Sequence, residues 1–203
     1  MRGYGKFTIR EVVELIVSWL VISFCFSVGW SKSFALTFAA SLVTAGLGFI
    51  LHELMHRFTA IRFGCLAEYR MWLWGLILAL VIALGSRGEF IFAAPGAVYI
   101  TPMAYTSYLS VRDMERAYGL ISLAGPIANI VLAVVFYVML PFSLFNQYLG
   151  SVAEMGFRIN LWLAAFNLIP IPPLDGVAVL RWSPLIWAAT SIPIWVILVL
   201  TSI

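Results

Sequence analysis

The sequence predicts an all-α polytopic membrane protein, with about six transmembrane helices and one short segment that re-enters the bilayer or forms a β-hairpin. Three observations carry that prediction. Hydrophobic residues fill 63% of the 203 positions and charged residues 10%, with a mean hydropathy of +1.03, a composition far from that of water-soluble domains. The apolar residues come in runs long enough to cross a hydrocarbon layer about 30 Å thick. The basic residues gather at the ends of those runs, most of them on alternate loops.

The length suits a single domain over residues 1–203, with no stretch that would link a PDZ or other soluble domain. No internal repeat is present, which disfavours an inverted-repeat transporter. The net charge of +3 falls where loops meet lipid headgroups and implies no nucleic-acid partner. Cys25 and Cys65 stand forty residues apart among apolar or small neighbours and read as small buried hydrophobes rather than a disulfide or a metal pair.

Val12 to Gly29 follows Arg2, Lys6 and Arg10 without a convincing cleavage site, so it reads as the first transmembrane helix rather than a signal peptide. Phe34 onward is the second, ending near Arg62 and Gly64. Tyr118 to Leu140, Val152 to Ile169 and Pro184 to Leu200 complete the clear spans, the last with an internal Pro193. Met71 to Leu84 has only fourteen residues, a length suited to re-entry, and Phe90 to Tyr108 follows it. With a cytoplasmic N-terminus, nine basic residues (Arg2, Lys6, Arg10, Arg57, Arg62, Arg70, Arg112, Arg116 and Arg181) lie on the cytoplasmic side, while Lys32 lies outside. The cytoplasmic end of the second span is then the end that carries His52 and His56.

Those are the chain's two histidines, and they close a run of eighteen uncharged residues from Phe34 to Leu51. On a helix, residues four apart share a face, so both imidazoles can bind one ion. Glu53 borders the pair and can reach a metal-activated water without ligating, as the His-Glu-x-x-His arrangement requires of its general base. An ionisable group in a membrane span costs a few kcal/mol without a partner, which argues against a merely polar helix end. Catalytic zinc takes three protein ligands and leaves a position open, so an acidic residue must complete the set. The chain has two aspartates. Asp113 sits beside Arg112 in a polar loop. Asp175 follows Pro170, Pro172 and Pro173, which deny the backbone a helix directly after an apolar span, and unwound backbone at membrane depth belongs in a cavity or inside protein. Asp175 is the better ligand, and it also suits a helix N-cap.

His52-Glu53-Leu54-Met55-His56, Ala124-Gly-Pro-Ile-Ala-Asn129 and Asn167 through Gly176 together resemble the site-2 proteases, intramembrane zinc metalloproteases that cut membrane proteins in regulated intramembrane proteolysis. The resemblance implies His52, His56 and Asp175 as ligands of one zinc per chain, Glu53 as general base and Asn167 near the substrate. Met55 stands where the family usually has Gly before the second histidine, and Val177 where a Gly commonly follows Asp-Gly. Because no histidine is left over, a neutral donor must meet oxyanion charge, with Asn167 the candidate and Asn129 behind it; either asparagine could instead hold two spans together.

A helical substrate must unwind before its carbonyls can be attacked. Glu89 to Ile100 is rich in β-formers around Pro95-Gly96, so it can form a hairpin whose edge pairs with an unwound transmembrane substrate, to which Phe63 to Met71 could add a strand. A plug for the bundle is the other reading. The expected partners are transmembrane protein substrates and the lipid bilayer; oligomeric state is not encoded in these patterns. A membrane metal transporter would also bury His and Asp but has no use for Glu53 beside the first histidine. A catalytically inactive relative would be expected to lack Glu53 or a ligand. Di-iron hydroxylases need many more histidines, and serine-type intramembrane proteolysis has no histidine to spare as base.

Overall fold

The computed structural model describes residues 5–29, 33–103 and 110–202. In order they form α1 (Ile9–Ser27), α2 (Phe34–Arg62), β1 (Cys65–Met71), α3 (Leu73–Gly85), β2 (Gly96–Pro102), α4 (Val111–Met139) with a 3-10 turn over Leu140–Leu144, α5 (Gln147–Asn167), α6 (Gly176–Trp182) and α7 (Pro184–Ser202). Arg2 and Lys32, used above to orient the chain, and residues 104–108 of the Phe90 to Tyr108 segment lie outside the described residues.

Three described helical stretches are long and apolar enough to cross a membrane, namely Phe34–Arg62, Val111–Leu144 and Pro184–Thr201, the make-up of an integral membrane protein. The expected number of about six is not met, for identifiable reasons. α1 carries Arg10, Glu11 and Glu14 in its first two turns. α5 is diluted by Gln147, Ser151, Glu154, Arg158 and Asn160. α3 has 13 residues and reaches about 20 Å at 1.5 Å per residue. Apolar side chains are turned outward along the long helices, as at Val131, Val134 and Val138 of α4 and Val196, Val199 and Leu200 of α7. That distribution suits a lipid solvent rather than water.

α2 is the central element, in contact with α1, α4 and α5. Its buried face is made of small residues, including Ala40, Ser41, Thr44, Ala45, Gly46 and Gly48, so neighbouring backbones can approach closely. At Gly46 an added Cβ would overlap the Trp19 indole of α1, whose Nε1 donates to Leu42 O at 3.0 Å. α4 starts seven residues before the expected Tyr118, because Ser110 accepts from the Asp113 backbone N–H and donates to its carboxylate, closing an N-cap.

The expected strand near Phe63 to Met71 is present as β1. The expected hairpin within Glu89 to Ile100 is not: β2 pairs antiparallel with β1, in a register matching Tyr69 with Val98, and residues 91–95 are irregular. Pro95 has no N–H, and its carbonyl instead accepts from Trp72 N at 2.7 Å, so the chain turns at Pro95-Gly96 into a strand whose partner lies before α3.

Buried charge fixes one side of this sheet. The Glu11 carboxylate accepts from Arg57 Nε at 2.9 Å and from Tyr69 N at 3.1 Å, and Glu14 accepts from Met71 N at 3.0 Å. Arg57 also donates to Gly5 O and Lys6 O and lies 3.9 Å from the centre of the Phe7 ring. The outer edge of β1 is therefore occupied by α1. Because Tyr69 and Met71 point their amides away from β2, their cross-strand partners Val98 and Gly96 point theirs away from β1, as alternation in an antiparallel pair requires. No described strand pairs with that second edge. Both cysteines are free and buried, and burial pushes the Cys65 thiol up, away from thiolate chemistry.

Candidate metal centre

His52 and His56 lie one turn apart on the buried face of α2, with their Nε2 atoms 2.9 Å from each other. The other nitrogen of each ring settles what those atoms carry. His56 Nδ1 is 2.7 Å from the carbonyl oxygen of Ile121 in α4; a carbonyl only accepts, so Nδ1 holds the proton and donates it. His52 Nδ1 is 2.7 Å from Asn129 Oδ1 and likewise donates. In the neutral rings both Nε2 atoms thus present lone pairs to the same point.

Asp175 completes the arrangement. Its Oδ2 lies 3.2 Å from His52 Nε2 and 3.1 Å from His56 Nε2. Residues 168–175 form the irregular stretch expected from the prolines, and α6 starts immediately after Asp175. Asp175 occupies the N-cap position of α6, yet its side chain makes no capping bond and turns to the histidines instead. The stretch is held by Trp187 Nε1 donating to Leu168 O at 2.8 Å, and by a backbone approach so close that a Cβ on Gly176 would overlap Leu168 O.

Three such atoms within about 3 Å of one another repel unless a proton or a metal cation lies among them. The separations are close to the edges, about 3.3 Å, of a tetrahedron with ligand bonds of about 2.0–2.1 Å, and two imidazoles with one carboxylate are a donor set that zinc accepts. The residues present fit the ion. Glu53 is buried beside them, and its Oε2 has no hydrogen-bond partner among the described residues. A cavity of about 480 Å³ opens on this cluster; its wall includes Glu53, Asp175, Asn167, Ser122 and residues 93–100, which lead into and form most of β2.

Asn167, expected near a substrate, lines that cavity from the last turn of α5 while its Nδ2 donates to Leu163 O at 3.0 Å. The remaining acidic residues stay apart. Asp113 accepts from the Ser110 hydroxyl in the first turn of α4, Glu68 pairs with Arg70 at 2.9 Å, and Glu89 is exposed. Of the two roles weighed for Asn129, the structure shows the interhelical one: its Nδ2 donates to Gly48 O of α2 and Asn160 Oδ1 of α5, which leaves no hydrogen for an oxyanion, while its Oδ1 holds His52, a contact the sequence did not suggest. Two contributions escaped the sequence reading. Gly125 packs its backbone against the imidazoles so tightly that a Cβ would overlap His56 Nε2, and Asn160 of α5 donates to two backbone carbonyls while receiving Asn129. A fully buried amide in an otherwise apolar helix face was the signal available for Asn160.

A buried His-Glu-x-x-His helix completed by a distant aspartate, within a bundle of apolar helices, defines a membrane metalloprotease of the zinc class. The chain is 43% identical over 189 residues to the protein named Putative zinc metalloprotease MJ0611 of Methanocaldococcus jannaschii, covering 93% of each chain. It is 26% identical over 149 residues to Putative zinc metalloprotease YwhC of Bacillus subtilis, covering 69% of this chain and 67% of that one. It is 33% identical over 160 residues to Putative zinc metalloprotease Rip2 of Mycolicibacterium smegmatis, covering 69% of this chain and 56% of the relative. No family model and no solved structure matches it. The chain belongs to the site-2 protease family of zinc metalloproteases.

The donor set predicts that purified protein carries one zinc per chain and that His56→Ala or Asp175→Ala removes it, measured by elemental analysis. Stoichiometric zinc in a folded Asp175→Ala protein would place the third ligand elsewhere.

Proposed function

We propose that this chain is an intramembrane endopeptidase that hydrolyses peptide bonds within or near the transmembrane segments of other membrane proteins, using one zinc ion held by His52, His56 and Asp175. The observation that carries the reading is Glu53 Oε2, without a hydrogen-bond partner among the described residues, beside the three convergent donors, in a cavity walled by a strand edge that no described strand pairs with. When bound, zinc supplies Lewis acidity toward the scissile carbonyl and the attacking water. Glu53 takes the water's proton as the new C–O bond forms and passes it to the leaving amine nitrogen as the C–N bond breaks. Its burial keeps competing hydrogen bonds away from that carboxylate. Asn167 stands at the same cavity and is assigned to the substrate's carbonyl oxygen through its amide N–H.

Substrate presentation follows from the sheet. The amides and carbonyls of Gly96, Val98 and Ile100 point off the edge of β2 opposite β1, and all three residues line the cavity. An unwound segment that added itself there would have its backbone satisfied and its carbonyls held in line with the metal centre. The other edge is closed to it, since Glu11 and Glu14 already accept from β1. We assign the N-terminus and the histidine end of α2 to the cytoplasmic side, from the distribution of Arg and Lys. The biological partners are then single-span or multi-span membrane proteins cut in regulated proteolysis.

Cleavage of a single-span substrate in liposomes tests the chemistry. Glu53→Gln retains shape and zinc but removes the base, and the expected loss is a factor of about 100 or more. Equal cleavage by the parent and a variant with the same zinc content would refute Glu53 as the base. Val98→Pro tests presentation, because it deletes a donor on the unpaired edge and leaves the ladder to β1 intact. It should slow cleavage of helical substrates with zinc unchanged, and an unaltered rate would exclude pairing at that edge.

A further inference from the structure

We propose that Asn160 is a positioning residue for the metal centre: acting through Asn129, it locks His52 in the tautomer that leaves Nε2 free to bind zinc. The inference rests on reading His52 as a zinc ligand, and its logic runs inward from three backbone carbonyls. Asn160 Nδ2 lies 3.3 Å from Thr44 O of α2 and 2.9 Å from Gly156 O of α5. Carbonyls only accept, so the atom facing them is the amide nitrogen, and the Oδ1 of Asn160 must face the other way. There it meets Asn129 Nδ2 at 3.1 Å, and the second hydrogen of that nitrogen reaches Gly48 O, also at 3.1 Å. With both hydrogens of Asn129 committed to acceptors, its Oδ1 is turned to His52 Nδ1 at 2.7 Å. An amide oxygen can be satisfied there only by an Nδ1–H. In the neutral ring the proton is thereby kept off Nε2.

Burial makes the lock costly to undo. Asn129 and Asn160 are both fully buried, so a reversed amide would set oxygen against carbonyl oxygen with no water to relieve it. Gly48 leaves the space the pair occupies, since a Cβ there would overlap Asn160 Oδ1. His56 needs no such relay, because Ile121 O fixes its tautomer directly. The two histidines are therefore held by independent devices, and the second serves as an internal control for the first.

Nitrogen NMR of the full-length protein labelled with 15N-histidine reads both rings, and only two are present to assign. In zinc-free parent protein in alkaline buffer, Nδ1 of each ring should carry the proton. Asn160→Leu removes one of the two acceptors of Asn129 and leaves Gly48 O alone to orient its amide, so part of the His52 population should move its proton to Nε2 while His56 stays unchanged. Zinc affinity, measured by competition with a chelating dye, should fall about 10-fold or more. The proposal is overturned if Asn160→Leu leaves the His52 tautomer and zinc affinity as in the parent, or if both histidines change together. If the leucine variant does not fold, the parent spectrum still decides, since an Nε2–H tautomer at His52 contradicts the lock. The tautomer reading needs neither zinc nor cleavage, so it stands or falls separately from the proteolytic assignment.

Discussion

Three lone pairs pointed at one place inside an apolar bundle form the constraint around which this molecule is organised. Two imidazole nitrogens and a carboxylate oxygen, mutually about 3 Å apart, are unfavourable neighbours unless a cation joins them. Each is nevertheless held there by bonds that leave it little freedom. His56 is pinned by the Ile121 carbonyl, His52 by the paired asparagines, and Asp175 by the irregular backbone that α7 braces with the Trp187 indole. The bundle thus supplies the organisation, and a zinc ion held there would supply the compensating charge.

The remainder of the fold serves access to that point. α2 can stand at the centre because its buried face is built of Ala, Ser, Thr and Gly, which lets α1, α4 and α5 close around it. Gly125 of α4 extends the same device to the histidines themselves. The two-stranded sheet brings an unpaired backbone edge to the wall of the cavity, and the carboxylates of Glu11 and Glu14 occupy the opposite edge. Among the described residues the sheet has one open edge, and on the proposed reading that is where an extended chain would add itself, because the ion pairs that bury charge close the other.

The chemistry was more legible in the sequence than the architecture. His52, Glu53 and His56 announce themselves because ionisable residues are scarce in this chain, and the prolines around Asp175 mark an irregular stretch that an isolated aspartate would otherwise not reveal. The spans of α2, α4 and α7 were readable for the same reason, through long apolar runs. α1 and α5 were harder, because each mixes apolar runs with charged or polar residues of two kinds, Glu11, Glu14 and Asn160 facing partners inside the protein and Arg10, Glu154 and Arg158 facing outward, and hydropathy cannot distinguish the two. The pairing of β1 with β2 was hidden by distance along the chain, since α3 separates the strands and the local Pro-Gly signal pointed to a hairpin within residues 89–100. Asn160 escaped because its importance lies in what it holds at second hand, a property that appears only when three helices are brought together.

Zinc-edge X-ray absorption on the purified protein tests the central claim most directly. The account predicts two imidazole nitrogens at about 2.0–2.1 Å and carboxylate or water oxygen at about 2.0–2.2 Å. A sulfur shell near about 2.3 Å, which would bring in a cysteine, or a spectrum with fewer than two imidazoles, would contradict the assignment of His52, His56 and Asp175 as the metal centre.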